Sequence, residues 1–314
     1  MARGVSGFTP EVSPIHLGRA LPVCALILSV GGGLAAQSEA GRTPRTIQWE
    51  GMERSYLVHL PPSHQAGRPL PLLLVLHGAG GDGAGMAEHT GLTGAATQRG
   101  YAVVYPNGVA RRWNDGRGTS AQDDVGFIRL LLDSLRRELP VDSSRVYATG
   151  ISNGAGFAYR LACDLPGTFA AIAPVAGAPA ATLEERCAAT RPVSVISFQG
   201  TRDRLMPYEG GSGAARRGRV LSAQRSAALF AEVNACTPPP AVAAEPDTAK
   251  DGTRVRRSVY GGCRKGREVA LYTIDGGGHT WPGGPPVGRL VGRVSRDLDA
   301  TRTMLDFFDR HSQP

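Results

Sequence analysis

The amino-acid sequence predicts an α/β protein with a mostly parallel, doubly wound sheet in a single domain over residues 41–312. Three observations predict it. Strand-like and helix-like segments alternate from residue 46 almost to the end, at the spacing of repeated βαβ units. Several strand-like segments are unbroken apolar runs, the pattern of strands covered on both faces. Glycine or a turn-forming cluster follows these runs, where a parallel strand hands over to its crossover.

Each element has its own justification. "RTIQWEGMERSYLVHLP" (45–61) reads as two short strands around a Gly-Met turn, and "PLPLLLVLHG" (69–78) as a buried strand ending in glycine. "YAVVYP" (101–106) repeats that form, and "DDVGFIRLLLDSLRREL" (123–139) has helical periodicity. "SRVYATGIS" (144–152) returns to a strand and runs into a helical "NGAGFAYRLACDL" (153–165). Strands follow at 169–177 and 193–200, then a helix at 222–236, a strand at 267–274 and a final helix at 295–311. The Pro-rich segment 237–253 lies between Cys236 and Cys263 and reads as a stapled excursion rather than a linker.

The chain has 314 residues, 41% hydrophobic and 20% charged, which excludes disorder throughout. Its 35 basic and 27 acidic residues give a formal charge of +8, but they are spread along the chain. The short basic clusters at 215–219 and 254–257 are not interleaved with aromatics, so they read as solvated surface and not as a nucleic-acid groove. Near the start, Arg3 and Arg19 precede the apolar run 20–36, which is too short and glycine-broken for a membrane span. Ala35 and Ala36 suit a signal-peptidase cut, so residues 1–36 are expected to be an export signal. Cys24 leaves with it. Cys163, Cys187, Cys236 and Cys263 remain, and an oxidising compartment favours two disulfides. Four cysteines allow three pairings; the simplest joins neighbours in sequence, Cys163 with Cys187 and Cys236 with Cys263. No CxxC or His-x-x-x-His spacing points to a metal.

Ligands of such sheets bind beyond the carboxyl ends of the strands. After the strand at 144–149 stands Gly150-Ile151-Ser152-Asn153-Gly154, a Gly-x-Ser-x-Gly pattern between a strand and a helix. A serine there is held in strained backbone, with its hydroxyl above the sheet edge at the positive end of the next helix. It requires a base. His59, His64, His89 and His311 read as surface or ordinary polar residues, the last in a frayed C-terminus, and His77 ends a strand in "HGAGGDG". Only His279, in the glycine-flanked "DGGGHTWPGG" (275–284), follows a late strand in a loop able to bend back over the edge. For the carboxylate that orients it, Asp203 lies just past the strand at 193–198; Asp275, Asp247 and Asp251 are its competitors. The order Ser152, Asp203, His279 is that of a hydrolase triad on a doubly wound sheet. The oxyanion is expected to meet the amides of Asn153 and of Ala79, with Gly80 as the near alternative.

These residues carry a resemblance. "LHGAGG", "YPNG" with "WND", "DDVGF", "RVYATGISNGAGFAYRLAC", "FAAIAPVAG", "GTRD…PYEGG" and "GGGHTWPGG" are together similar to the secreted esterases grouped as polyhydroxybutyrate depolymerase and feruloyl esterase, carbohydrate esterase family 1-like, over about residues 45–310. The resemblance implies an α/β-hydrolase fold, carboxylic-ester hydrolysis without a cofactor, and Ser152, Asp203 and His279 as the triad. It also implies that Trp113 and Trp281 line the acyl or aromatic-group site. Two residues depart from the family pattern, Gln199 where a histidine is more usual and Arg202 where the residue is usually small. The expected partner is an ester, either a hydroxyalkanoate oligomer or a hydroxycinnamoyl or acetyl ester of plant polysaccharide. No nucleic acid or membrane is expected, and the mature chain is expected to be monomeric, secreted or periplasmic. No separate polymer-binding domain is read, which favours soluble esters over solid polyester. The reading from another class is a silent hydrolase fold that binds polysaccharide or protein.

Overall fold

Alternate residues of one strand show why the sheet is covered twice. In β3 (Leu70–Leu76), Leu72, Leu74 and Leu76 join one hydrophobic cluster while Leu73 and Val75 join the other, as side chains of period two require. The computed structural model describes Met1 and residues 44–213, 218–286, 288 and 290–314. Apart from Met1, the expected signal segment 1–36 lies outside the described residues.

The other strands are β1 (Arg45–Trp49), β2 (Met52–His59), β4 (Ala102–Pro106), β5 (Val141–Ile151), β6 (Ala171–Val175), β7 (Ser194–Gly200), β8 (Gly211–Ser212), β9 (Arg219–Val220), β10 (Thr237–Ala244), β11 (Arg254–Gly261) and β12 (Val269–Asp275). Ten of them form one sheet in the order β1-β2-β4-β3-β5-β6-β7-β12-β11-β10, and β8 pairs with β9 in a small ribbon. From β4 to β12 every pairing is parallel; β1, β2, β10 and β11 extend both edges in antiparallel fashion.

Helices lie on both faces. α1 (Gly83–His89), α2 (Leu92–Gln98) and α7 (Ala300–Asp309) bury residues in one cluster, and α3 (Asp124–Glu138), α4 (Asn153–Asp164), α5 (Glu184–Ala188) and α6 (Ala223–Val233) in the other. In α7, Ala300, Thr301, Met304, Leu305, Phe307 and Phe308 are buried, a stripe of helical spacing, and the Asp299 carboxylate caps its start by accepting from the Arg302 amide.

Two sequence expectations are corrected here. The excursion between Cys236 and Cys263 is a hairpin, β10 and β11, added to the sheet beside β12; its consecutive prolines hid the strand because they cannot donate to a ladder, which an edge strand tolerates. The C-terminus is not frayed. Tyr147 donates to the His311 carbonyl at 2.7 Å, the Gln313 amide to Ser144 at 2.7 Å, and Arg267 to Ser312 at 2.9 Å, so the tail is clipped beside β5 with His311 buried against Phe307. Disulfides join Cys163 to Cys187 and Cys236 to Cys263, 24 and 27 residues apart in sequence.

Candidate active site

β5 hands over to α4 at Ser152, whose backbone has φ 60° and ψ −119°. A side chain in that region costs about 1–3 kcal/mol, which the surroundings must impose. They do so by backbone bonds: the Ser152 amide donates to Val175 and the Gly156 amide to Ser152, each at 3.0 Å. The two flanking glycines are steric necessities, since a Cβ on Gly150 would stand 2.6 Å from the Leu76 carbonyl oxygen and one on Gly154 2.6 Å from that of His77. Ser152 occupies the N-cap position of α4, yet its side chain makes no capping bond, so the hydroxyl is left to other work.

Asp203 and His279 are brought together. The His279 Nδ1 bonds the Asp203 Oδ2 at 2.7 Å, and both side chains are buried. The other carboxylate oxygen of Asp203 accepts from the amides of Leu205 and Met206, each at 2.8 Å, so the acid's orientation is fixed before it meets the ring. The two loops dock backbone to backbone: the Arg202 amide donates to Gly277 at 2.9 Å and the Gly276 amide to the Thr201 hydroxyl at 2.9 Å. A Cβ on Gly200 would fall 2.5 Å from the carbonyls of both Gly277 and Gly278, so only glycine permits this approach. From the other side, the Gly278 and His279 amides donate to Arg293 and Val291, which stitches the histidine loop to the returning chain. Ser152, Asp203 and His279 thus follow β5, β7 and β12, all at the carboxyl edge of the parallel strands.

The loop after β3 carries the expected oxyanion donors. The Gly80 amide donates to the Arg111 carbonyl at 2.8 Å and is therefore engaged, whereas the Ala79 and Asn153 amides have no such partner among the described residues. His77 fixes this loop from beneath. Its Nδ1 donates to Gly78 O at 2.8 Å and its Nε2 accepts from the Gly108 amide at 3.0 Å, a pattern that only the neutral ring with its proton on Nδ1 satisfies. Burial holds its pKa below the ordinary histidine value, consistent with that form.

A cleft of about 440 Å³ opens over the ends of β3 and β5, walled by Ala79, Met86, Thr90, Ile151, Trp281 and Pro285 among others. Trp281 is held by its Nε1–H donating to the Thr301 hydroxyl at 3.0 Å, which in turn donates to Thr90 O at 2.7 Å. Trp113 does not line this cleft, and the expectation for it is corrected. It is 0% exposed, stacked on Phe157 with ring centroids 5.0 Å apart, and donates to the His77 carbonyl at 3.0 Å. A ring that large beneath the sheet edge gains more from full burial than from a wet wall.

What the sequence did not assign is the polar support around the serine. The Asn153 side chain accepts from the Trp113 amide at 2.8 Å and donates to Asp115 Oδ2 at 2.7 Å; the buried Asp115 pairs with the half-buried Arg117 at 2.6 Å. Nearby, Asp124 is fully buried against Arg54 at 2.8 Å and accepts from the Asn114 amide at 2.7 Å. The "WND" and "DDVGF" blocks were the available signal: charged residues next to aromatics in a loop, which can be buried only if paired. Gln199, the other departure, donates to Gly177 O at 2.6 Å behind the serine.

The profile of the family described as Esterase PHB depolymerase matches residues 54–203. Over 290 residues the chain is 34% identical to a putative esterase, NocK, of Nocardia uniformis subsp. tsuyamanensis, covering 86% of this chain and 83% of that protein. It is 29% identical to feruloyl esterase B of Piromyces equi across 72% of this chain and 42% of that longer protein. With feruloyl esterase D of Neurospora crassa it shares 27% identity over 93% of each. Among solved structures, an acetyl xylan esterase from Aspergillus awamori aligns with a TM-score of 0.59 at 13% identity, over 85% of this chain and 99% of that one. At that identity the likeness is one of fold, the α/β-hydrolase fold.

Proposed function

The chain belongs to the PHB depolymerase family of esterases and is a carboxylic ester hydrolase, and from that premise we propose a secreted, monomeric serine esterase with Ser152 as nucleophile. His279 takes the Ser152 proton as Oγ attacks the ester carbonyl, Asp203 keeps the ring proton on Nδ1, and the Ala79 and Asn153 amides stabilise the oxyanion. The alcohol leaves with the proton, and water then hydrolyses the acyl-enzyme by the reverse sequence. No cofactor enters the scheme. The observation that carries it is the buried 2.7 Å bond between His279 and Asp203, at the same sheet edge as a serine in strained backbone.

Replacing Ser152 by Ala is expected to lower kcat on a short p-nitrophenyl ester by on the order of 10⁶-fold while the fold is retained. Wild-type turnover in that variant would sink the assignment. A fluorophosphonate probe that failed to label Ser152 in folded protein would favour a silent binding protein instead.

For the acyl group, the apolar cleft beside Ala79 and Ile151, with Trp281 in its wall, has room for an aromatic ring, and several relatives are named feruloyl esterases. Both support a hydroxycinnamoyl ester over an acetyl one. A hydroxyalkanoate oligomer is the second reading, from the family's description. Initial rates on methyl ferulate and on a 3-hydroxybutyrate trimer separate them: the first reading requires the ferulate rate to be the higher.

A further inference from the structure

We propose that a second cleft, over the β7 and β12 ends of the sheet edge whose β3 and β5 ends carry the apolar one, binds a carboxylate-bearing oligosaccharide. It rests on the esterase reading in one respect: the oligosaccharide is taken to be the alcohol side of the ester.

The cleft has a volume of about 540 Å³ and lies over the ends of β7 and β12 and the start of β11. Arg202, Lys250, Arg254 and Arg293 line it with Asp247 and Asp275. The two carboxylates leave three of these four cations without a carboxylate partner among the described residues. Asp247 pairs with Arg254 at 3.4 Å, and Asp275 is taken by Arg256 at 2.8 Å, from a side chain that does not line the cleft. Arg202, Lys250 and Arg293 are left with no carboxylate partner among the described residues. Arg293 donates to the Gly252 carbonyl at 3.1 Å, which holds its guanidinium in place without neutralising it, and three cations lacking a carboxylate around one concavity make a positive potential that an anion relieves.

The lining decides the kind of anion. Every lining residue is polar, charged or glycine; the Thr253 hydroxyl is buried on Asp251 and Ser295, and that of Thr201 accepts from the Gly276 amide and keeps its own proton to donate. A polyester segment would bring methyl and methylene groups with nothing to cover them. A sugar acid brings carboxylates for the cations and hydroxyls that can donate to Asp247 and Asp275. The position fits as well. Arg202 adjoins Asp203 in sequence, and Gly276 lies in the loop that carries His279, so the cationic cleft borders the Asp203 and His279 loops at the same sheet edge whose β3 and β5 ends carry the apolar cleft.

The test is calorimetric titration of the full protein with trigalacturonate at low salt, beside its carboxyl-reduced trisaccharide, a 3-hydroxybutyrate trimer and citrate. Trigalacturonate is expected to bind and the reduced sugar not to. Lys250→Glu should weaken binding roughly fivefold, and with Arg202→Glu more than tenfold, the modest losses expected of exposed charge contacts. Binding should also fall as ionic strength approaches about 0.1 M, where the screening length is about 10 Å. No binding, equal binding of the neutral sugar, or indifference to Lys250→Glu overturns the proposal. Citrate or the hydroxybutyrate trimer binding as tightly overturns its assignment to a carbohydrate. Circular dichroism checks that each variant is folded, and Lys250→Glu, on the exposed hairpin turn, serves alone if Arg202→Glu is not. Methyl ferulate turnover in the same preparations reports the Ser152 chemistry separately, so an empty cleft on an active enzyme is distinguishable from an inactive one.

Discussion

His279 is held from three directions: by Asp203 at Nδ1, by Val291 at its own amide, and by the glycine backbone on which its loop lies. If Asp203 sets the tautomer, Asp203→Asn should lower kcat about 10⁴-fold with little change in KM, because the amide can present its NH₂ to Nδ1 and leave the proton on the wrong nitrogen. Steady-state kinetics on the folded variant checks this. The support around Asn153 predicts a stability effect instead. Asp115→Ala takes the carboxylate partner from the half-buried Arg117 guanidinium and from the buried Asn153 amide, at a cost of about 1–3 kcal/mol measurable by urea denaturation. Chain order and turn chemistry made Ser152, Asp203 and His279 legible in the sequence as candidates. The environment of Trp113 was not legible, because an aromatic beside charged residues reads the same whether it walls a cleft or lies under one.

Secondary-structure elements were readable where their periodicity was strong. The apolar runs of β3, β4 and β7 and the stripe of α7 follow directly from burial on two faces or one. α5 and the hairpin β10–β11 were not readable. The first is a short helix packed against α4 and α6, and the second buries little of its own side-chain surface, so tertiary context decides both. The Cys236–Cys263 disulfide closes the base of that hairpin. Replacing both cysteines by serine is expected to cost about 3 kcal/mol, as loops of this length usually do, and hydrogen exchange should show the loss concentrated in β10 and β11.

At the scale of the whole molecule, stability depends on neutral histidines, His77 and His311 buried and His59 half-buried. Burial lowers the pKa of His59, His77 and His311 below the ordinary value of about 6.5. The native state therefore takes up protons at these rings later than the unfolded chain does. Above about pH 6.5 the difference vanishes; below it stability falls, by up to about 1.4 kcal/mol per pH unit for each ring, until the native rings themselves protonate. Thermal melts from pH 7 to pH 5 check this, and a Tm unchanged across that range would contradict it. The doubly wound architecture was visible from alternation alone, whereas the antiparallel extension beyond β12 was not, since nothing in a strand's own residues says which neighbour it will have. That extension also governs how the protein meets its own kind. The last strand, β10, carries Pro238, Pro239 and Pro240 and a register irregularity against β11. Three successive residues without an amide hydrogen offer a newcomer half a ladder, so another copy cannot simply lengthen the sheet there. The rim that looked like an untidy excursion thus works as a stop against self-templated growth, and it does so by leaving out the amides that a further strand would need.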